Sequence, residues 1–338
     1  MTLDALYAKL KNISVDNPAC TYTYERCKRL FPLIEAITEL KKEKNALILA
    51  HSYVHPDILY GVADHCGDSL GLATEAKNTT ADTIVFPAVR FMAETAKILN
   101  PSKQVIDPNP NGGCSLASSI DADTVWALKR RYPHHTFVCY INTTAAVKAA
   151  CDVCVTSSNV YRIIEKIPND QIYFLPDRLM GQNIQNYLKQ KKSRKELLFY
   201  DGTCYVHEAF QEEQVTQLKT FHPTLKVLAH PECKPEVVSL ADAVLSTTGM
   251  MDYVKTHGTP ETPLLLLTEC GVASRLQVEN PSLKLVGSCL MCRYMRSNSL
   301  EVLYQALKDP TPEQVIEIEP GLLNEAKKCM DAMYRYEE

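Results

Sequence analysis

The sequence predicts an α/β protein built from three similar αβα sandwich domains, with parallel sheets arranged around a pseudo-threefold axis. Short apolar strands alternate with helical stretches, a pattern that indicates βαβ units with right-handed crossovers. Nearly continuous apolar runs such as Leu264–Leu267 are typical of strands in a sheet that is covered on both faces. The strand and helix pattern also recurs roughly every 90 residues, which indicates three copies of one unit.

Each unit is predicted from its own succession of apolar segments. The first unit is expected to contain the strands Ala46–Ala50, Thr83–Phe86 and Gln104–Ile106. The second is expected to contain the strands Thr136–Ile141, Val153–Thr156, Ile172–Leu175 and Leu197–Tyr200, with helices from Ala145 and Val160. The third is expected to contain the strands Lys226–Ala229, Ala243–Leu245, Leu264–Leu267 and Lys284–Val286, with helices from Pro235 and Met250.

These segments set the expected domain boundaries. Residues 1–118 form N-terminal helices and the first domain, residues 119–207 the second, and residues 208–297 the third. Residues 298–338 form a C-terminal helical segment. Apolar residues at helical spacing near the end of the chain predict a last helix that packs on the first domain. They are Leu322, Leu323, Ala326, Cys329, Met330 and Met333.

Polar residues just beyond the predicted strand ends recur in the same register. Ligands of parallel sheets bind beyond the carboxyl ends of the strands, so these residues should face a shared centre. Each unit would contribute one polar residue, one hydroxyl at a helix start, suited to anions, and one thiol. The three series are His51, Asn142 and His230; Ser69, Ser157 and Ser246; and Cys114, Cys204 and Cys292.

Composition limits the classes of partner. The chain has 338 residues, of which 46% are hydrophobic and 22% are charged, as expected of a globular protein with a sizeable core. A net charge of −4 gives no basic face for nucleic acid or an anionic membrane. The N-terminus mixes charges with apolar residues, unlike a signal peptide, and no apolar run approaches the roughly 18 residues of a membrane span. We therefore expect a soluble cytoplasmic protein with no nucleic-acid or membrane partner.

Thirteen cysteines in such a chain indicate metal or redox chemistry more than a disulfide framework. Three cysteines related by the repeat could hold a [4Fe–4S] cluster and leave one iron open as a Lewis acid. Two C-x-x-C pairs, Cys151 with Cys154 and Cys289 with Cys292, leave a zinc site open as an alternative. Cys289 could also be a spare ligand or a redox partner of Cys292. Cys151 and Cys154 also suit a purely structural place in the core.

Several motifs resemble the quinolinate synthase family, the A protein of de novo NAD biosynthesis. They run in order from residue 50 to beyond residue 290 and so cover most of the chain. They are AHSYVHPDI from Ala50, GDSL from Gly67, FMAETAKIL from Phe91, GCSL from Gly113, YINTTAAVKA from Tyr140, DGTCYVHEAF from Asp201, HPEC from His230, TECGVASRL from Thr268 and C-x-YM from Cys292.

The resemblance implies an iron–sulfur transferase that condenses iminoaspartate with dihydroxyacetone phosphate to quinolinate, phosphate and water. It implies a [4Fe–4S] cluster on Cys114, Cys204 and Cys292. L-aspartate oxidase or aspartate dehydrogenase would be the functional partner that supplies iminoaspartate. The family's fold, three αβα domains around a pseudo-threefold axis with the site at their junction, agrees with the repeat.

Roles follow from motif positions. Glu232, Tyr53 and His207 are the candidates for proton transfer, and His207 could instead only orient its neighbours. The expected substrate-binding residues are His51, Ser69, Tyr140, Asn142, Ser157, His230, Ser246 and Thr247.

Two positions depart from the family pattern. Arg90 stands where a histidine is usual, and Leu245 stands where a glycine is common, so the pocket near them is not fixed by the motifs. Two other functions stay open at this point. One is an iron–sulfur electron carrier or redox sensor, and the other is a cluster-free phosphate-binding enzyme of the aldolase type.

Overall fold

A computed structural model of the protein describes residues 1–14, 20–287 and 289–337. The fold is α/β and contains three parallel sheets of four strands each. Within every sheet the spatial order is the second strand, then the first, the third and the fourth. The predicted fold class is confirmed, and the common strand order supports the threefold repeat inferred from sequence.

The strands are short, with two to six residues each. The first sheet comprises β1 (Ala46–His51), β2 (His65–Gly67), β3 (Thr83–Val85) and β4 (Gln104–Ile106). The second comprises β5 (Thr136–Tyr140), β6 (Val153–Val155), β7 (Gln171–Leu175) and β8 (Glu196–Phe199). The third comprises β9 (Lys226–Ala229), β10 (Ala243–Val244), β11 (Leu264–Leu267) and β12 (Leu285–Val286).

Strand β2 is the one strand in the described residues that the apolar pattern did not name. It has only three residues, and His65 at its start is exposed, so no apolar run marks it. Its pairing with β1, in which His51 lies opposite Gly67, creates the strand instead. Tertiary pairing here overrides a weak local preference.

Helices cover both faces of the sheets, as expected of βαβ units. The first unit contains α1 (Leu3–Leu10), α2 (Tyr24–Glu43), α3 (Pro56–Gly61), α4 (Ser69–Asn78) and α5 (Arg90–Leu99). The second contains α6 (Ala122–Arg131), α7 (Ala145–Ala149), α8 (Val160–Lys166) and α9 (Arg178–Gln190). The rest are α10 (Tyr205–Glu208), α11 (Glu212–Phe221), α12 (Pro235–Ser239), α13 (Thr247–His257), α14 (Gly271–Glu279), α15 (Arg293–Arg296), α16 (Leu300–Lys308) and α17 (Pro320–Glu337).

Side-chain caps fix where the helices near the strand ends begin. The carboxylates of Asp68 and Asp177 cap α4 and α9 by accepting backbone N–H groups of the first turn. Ser246 caps α13 in the same way. The sequence predicted a helix from Met250, but this cap starts α13 three residues earlier, at Thr247.

The C-terminal segment packs on two units. Helix α16 packs on α2, and Val315 bridges Ile106 of β4, so this part contacts the first unit as predicted. Helix α17 packs chiefly on α7 and β6 of the second unit, with a smaller contact to α5. The expectation that the last helix docks on the first unit was therefore wrong for its main contact. The domain boundaries themselves stay a prediction.

The described residues include no helix that is long and apolar enough to cross a lipid bilayer.

Candidate active site

The carboxyl ends of strands from all three sheets face one buried cavity of about 70 Å³. Residues from each unit line it, so the cavity exists only where the three units meet. Every site residue expected from sequence lines this cavity except Ser246, which lines an adjoining, more open pocket. The cavity residues expected from sequence are His51, Tyr53, Ser69, Cys114, Tyr140, Asn142, Ser157, Cys204, His207, His230, Glu232, Thr247 and Cys292.

Two histidines, one after β1 and one after β9, occupy equivalent places. The Nδ1 atom of His51 accepts the N–H of Tyr53 at 3.2 Å, and that of His230 accepts the N–H of Glu232 at 3.4 Å. An accepting Nδ1 assigns the proton of each neutral ring to Nε2. Burial lowers the pKa of His51 to about 4, and burial together with the neighbouring His207 lowers that of His230 to about 3. Both rings are therefore neutral donors at pH 7.

The three candidate cluster ligands share one local setting, the start of a short helical turn. Cys204 is the N-cap of α10, Cys292 is the N-cap of α15, and Cys114 precedes a single 3₁₀ turn. Backbone N–H groups at a helix start stabilise a thiolate. These donors are Leu116 and Ala117 for Cys114, His207 for Cys204, and Tyr294 and Met295 for Cys292.

The surroundings of the same thiols disfavour their charged form. Burial raises the pKa of all three, that of Cys114 to about 12. The Cys292 sulfur also disfavours a negative charge on Cys114, and the Cys114 sulfur one on Cys204. Three partly buried thiols that line one cavity, each with backbone donors, fit a metal centre, whose charge stabilises the thiolates. The donor set therefore fits an iron–sulfur cluster with three protein ligands.

A single metal ion is a second chemical possibility for part of this set. Ligand atoms of Cys204, His207 and Glu232 all lie within 4.8 Å of one another. Such a mixed set of sulfur, nitrogen and oxygen suits a zinc-like ion. Cys114 and Cys292 would have no part in that site, although they line the same cavity.

A carboxylate at the centre of the site is surrounded by hydrogen-bond donors. Glu232 accepts the Tyr140 hydroxyl at 2.6 Å and contacts His207 Nδ1 at 2.9 Å. Burial would raise the pKa of Glu232, but His207, His230 and Tyr140 together lower it below its usual range. The ring of His207 stacks on that of His230 with centroids 4.4 Å apart. Glu232 is thus a buried carboxylate that stays ionised.

Hydroxyl groups extend this network into the first unit. His207 Nε2 lies 3.0 Å from the Thr268 hydroxyl, which lies 2.8 Å from the hydroxyl of Tyr53. Tyr53 also contacts the hydroxyl of Thr247 at 3.0 Å. An unbroken chain of hydrogen bonds therefore joins Tyr140 of the second unit, Glu232 of the third and Tyr53 of the first. Such a chain can pass protons between units.

The hydroxyls predicted at helix starts are placed less uniformly than the repeat suggested. Ser246 is the N-cap of α13, and its hydroxyl accepts the N–H of Gly249 at 3.1 Å. Ser69 is instead the first residue of α4, because Asp68 is the cap. Ser157 precedes the start of α8 by three residues and contacts the Tyr140 hydroxyl. Only one of the three serines is an N-cap, which corrects the uniform arrangement expected from sequence.

Sequence reasoning missed several residues of the cavity wall. Asp68 accepts the Ser158 hydroxyl at 3.0 Å, and Glu269 accepts the N–H of Cys292 at 3.2 Å. Asp68 lies in the motif GDSL and Glu269 in the motif TECGVASRL. Both carboxylates could therefore have been predicted from their position beside the site residues of those motifs. The missed apolar residues Phe91, Val206 and Met295 also lie in quoted motifs, but nothing in their type marks them as cavity residues, and Val89 lies outside the motifs.

The two departures from the family pattern lie outside the cavity. The Arg90 guanidinium faces Asp107 at 3.5 Å and the carbonyl of Glu313 at 3.1 Å, away from the site. Leu245 lines the adjoining pocket instead.

The remaining cysteines resolve the alternatives raised by their spacing. Cys289 forms a disulfide with Cys270, so it is neither a spare ligand nor the partner of Cys292 in this structure. Cys151 and Cys154 are buried beside Cys139 and Cys329, in the core between β5, β6 and α17. The two C-x-x-C pairs therefore do not meet, and the zinc site suggested from them was wrong.

The fold and the cavity together define an α/β protein whose candidate active site lies at the junction of three units. The family described as Quinolinate synthetase A protein matches residues 35–335. Quinolinate synthase 2 of Mesorhizobium japonicum is 40% identical over 330 residues, which cover 95% of this chain and 99% of that protein. The quinolinate synthase of Xylella fastidiosa is 38% identical over 335 residues, 96% of each chain, and that of Cyanophora paradoxa is 43% identical over 309 residues, 89% of this chain and 91% of that protein. The chain belongs to the quinolinate synthase family.

Proposed function

We propose that the chain condenses iminoaspartate with dihydroxyacetone phosphate to give quinolinate, inorganic phosphate and two waters. The reaction must bind two carboxylates, release phosphate, lose water and close a ring, and each of these later steps moves protons. The one observation that carries the proposal is that three thiols and an acid–base network line the same buried cavity. An upstream L-aspartate oxidase or aspartate dehydrogenase would supply the imine.

Neutral histidines are suited to hold the dicarboxylate substrate. His51 and His230 carry their protons on Nε2, and a carboxylate accepts from such donors with charge-assisted hydrogen bonds. Because both rings are neutral, their hydrogen bonds to an anionic substrate or product are weaker than those of charged imidazolium rings. The product can therefore leave more readily. Asn142 and Ser157 add uncharged donors on the wall from the second unit.

Glu232 is the candidate general base, with Tyr140 and His207 as its proton partners. Its carboxylate is ionised and buried, and it accepts a 2.6 Å hydrogen bond from the Tyr140 hydroxyl. A proton that Glu232 takes from a substrate carbon can leave through His207 and Thr268 towards Tyr53. The tautomerisations that precede ring aromatisation need such a two-way path.

Cys114, Cys204 and Cys292 are the residues that would hold a [4Fe–4S] cluster. When bound with three protein ligands, the cluster supplies one iron with an open position, which is a Lewis acid for substrate oxygen or nitrogen. An electron carrier or redox sensor would favour a fourth cysteine. Among the described residues that line the cavity there is none, and Cys289 is bound to Cys270. The observation therefore favours catalysis over electron transfer.

The proposal is tested by an anaerobic assay for quinolinate from the two substrates, with iron measured in the same sample. Wild-type protein should contain about four irons per chain and form quinolinate. Cys114→Ala should lose both the iron and the product. Cys66→Ala is the matched control, because Cys66 is a free, partly buried thiol outside the cavity, and it should retain both.

Two outcomes would contradict the proposal. Quinolinate formation by a protein that binds one zinc and no iron would favour the mononuclear site of Cys204, His207 and Glu232. An iron-loaded protein that forms no quinolinate, and whose spectrum does not change with a dicarboxylate, would favour the electron carrier.

A further inference from the structure

The loop that carries the candidate ligand is anchored by the same backbone hydrogen bond in all three units. A residue beyond the third strand donates its N–H to the carbonyl of the residue two positions before the cysteine. The three bonds are Arg90 to Gly112 at 3.3 Å, Arg178 to Gly202 at 2.7 Å, and Cys270 to Leu290 at 2.9 Å. They give a residue-by-residue alignment of the three units that does not depend on sequence similarity.

The residue just before each donor is therefore equivalent across the units. It is Val89 in the first unit, Asp177 in the second and Glu269 in the third. All three side chains are buried, and both carboxylates are fully so. Burying a carboxylate is costly unless it has partners, so its presence at two of three equivalent positions calls for a local reason.

Glu269 spans the turn that carries Cys292. Its Oε1 atom accepts the backbone N–H of Cys292 at 3.2 Å and the Nε of Arg296 at 3.3 Å. Its Oε2 atom accepts the N–H of Gly271 at 2.6 Å. A Cβ atom on Gly271 would lie 2.7 Å from that oxygen and 2.3 Å from the carbonyl oxygen of Ser52, so only glycine allows this approach. The carboxylate thus ties the Cys292 turn to the start of α14.

Asp177 occupies the corresponding place beside Cys204. Its Oδ1 atom accepts the N–H of Met180 at 2.7 Å and so caps α9. Burial and the nearby Glu232 charge raise the pKa of Asp177 well above its usual range, although the backbone N–H groups of Met180, Cys204 and Leu179 oppose that shift. A backbone bridge between Asp177 and Gly202 holds the two segments together. The Asp177 side chain therefore lies beside the segment that carries Cys204, but its Oδ2 atom has no hydrogen-bond partner among the described residues, unlike the oxygens of Glu269.

We propose that Asp177 and Glu269 are positioning residues that hold the Cys204 and Cys292 turns with their sulfurs towards the cavity. The inference rests on the proposed function, because it takes these cysteines as ligands. Groups that orient metal ligands in this way change metal affinity by about 10- to 100-fold when they are removed. The first unit has valine at this position, which offers the Cys114 turn no equivalent acceptor.

Conservative substitutions test separately the length of the acidic side chain and its charge. Glu269→Asp keeps the charge but withdraws the carboxylate by one methylene, whereas Glu269→Gln keeps the reach and loses the charge. Asp177→Ser keeps a cap for α9 but loses the second oxygen, whereas Asp177→Asn keeps both polar atoms. Each of these substitutions keeps a polar side chain of similar size at its position, so the variants should yield folded protein.

The measurement is the rate at which a ferrous chelator removes iron from anaerobic, cluster-loaded protein. Glu269→Asp and Asp177→Ser should release iron about 10- to 100-fold faster than wild type. Asp177→Asn, which keeps the accepting oxygen of the cap, should stay within a few-fold of the wild-type rate. Glu269→Gln keeps one accepting oxygen, but its amide nitrogen cannot accept an N–H, so its rate should lie between those of wild type and Glu269→Asp. Asp121→Ser and Glu279→Asp are the matched controls, because Asp121 caps α6 and Glu279 pairs with Arg275 away from the site. Both controls should release iron at the wild-type rate.

A spectroscopic readout distinguishes positioning from general destabilisation. The electron paramagnetic resonance spectrum of the reduced cluster should change in Glu269→Asp and Asp177→Ser and not in the controls, at equal melting temperature. Unchanged release rates and spectra in both variants would overturn the inference and leave the proposed function intact. Wild-type protein that holds no iron would overturn both, whereas iron-loaded protein without quinolinate synthesis would overturn the proposed function alone.

Discussion

The first and third units build the same turn after their first strand, yet they surround it differently. In both, a histidine accepts on Nδ1 the backbone N–H of the residue two positions later. That later residue is Tyr53 in the first unit and Glu232 in the third. The Tyr53 hydroxyl contacts the hydroxyls of Thr247 and Thr268, whereas Glu232 is a carboxylate between histidine rings and a tyrosine.

The difference shows how a repeated backbone yields an asymmetric site. The repeat sets where side chains enter the cavity, and the side chain chosen at each position sets the charge there. We call the hydroxyl network around Tyr53 the neutral side of the cavity and the surroundings of Glu232 its charged side. We expect the charged side to govern the chemical steps and the neutral side to govern binding and stability.

The largest effect is expected on the charged side. Glu232→Gln keeps the shape of the residue but removes the base, so kcat for quinolinate formation should fall about 10²- to 10⁴-fold with little change in KM. Iron content should stay at the wild-type value. Glu236→Gln, an exposed position nearby, is the control and should match wild type. A kcat within a few-fold of wild type would show that Glu232 is not the base.

Replacing either histidine should weaken substrate binding by a smaller factor. His51→Ala and His230→Ala each remove one neutral donor to a carboxylate, worth about 1.5 kcal/mol, so KM should rise about tenfold. His230→Ala should also lower kcat, because His230 stacks on His207 and lies next to Glu232. The exposed His134→Ala is the control. Equal kcat losses in both histidine variants would remove the distinction between the two sides.

The buried histidines also predict how stability depends on pH. Their folded-state pKa values lie below the ordinary value near 6.5, so the unfolded chain binds protons more readily. Their contribution is fully present above about pH 6.5 and is lost as the pH falls towards 4, by about 1.4 kcal/mol per pH unit for each histidine.

Melting temperatures of wild type and His51→Gln between pH 7 and pH 4.5 check this. The variant should lose stability less steeply than wild type or His134→Gln. Parallel curves for all three proteins would show that folding does not lower the pKa of His51.

The smallest effect is expected from Tyr53→Phe. The change removes a hydroxyl that contacts Thr247 and Thr268, so the free energy of unfolding should fall by about 1 kcal/mol. The loss of kcat should be well below that of Glu232→Gln, because Tyr53 ends the hydrogen-bond chain and is not its base. Chemical denaturation and the quinolinate assay measure the two quantities. Equal kcat losses in Tyr53→Phe and Glu232→Gln would contradict the division into a neutral and a charged side.

Much of the fold was predictable because each unit must bury its own strands. Leu264–Leu267 is apolar throughout and Lys226–Ala229 is apolar after its first residue, and the structure gives both segments the predicted bounds. Strand β2 was not predictable, since only its pairing with β1 defines it. The packing of α17 on the second unit was not predictable either, because an apolar stripe does not specify which surface it covers.

The residues of the candidate site were predictable from sequence where equivalent positions of the three units carry the same residue type. They were not predictable where the residue type differs between units. Histidine at positions 51 and 230 and cysteine in each unit made the register visible in the sequence. Val89, Asp177 and Glu269 are equivalent only through backbone hydrogen bonds, and no side-chain likeness links them. The Cys270–Cys289 disulfide was likewise invisible, because spacing alone does not say which thiols meet.

The contact between Cys139 and Cys329 bears on how the protein acquires its structure during synthesis. The two sulfurs lie 3.6 Å apart, although 190 residues separate them in the chain. Helix α17 thus completes the core of the second unit after the whole third unit has left the ribosome. Until then the face of β6 and α7 that α17 covers has no native cover. The middle repeat should therefore mature last, despite its earlier place in the chain, and should not fold as an excised fragment.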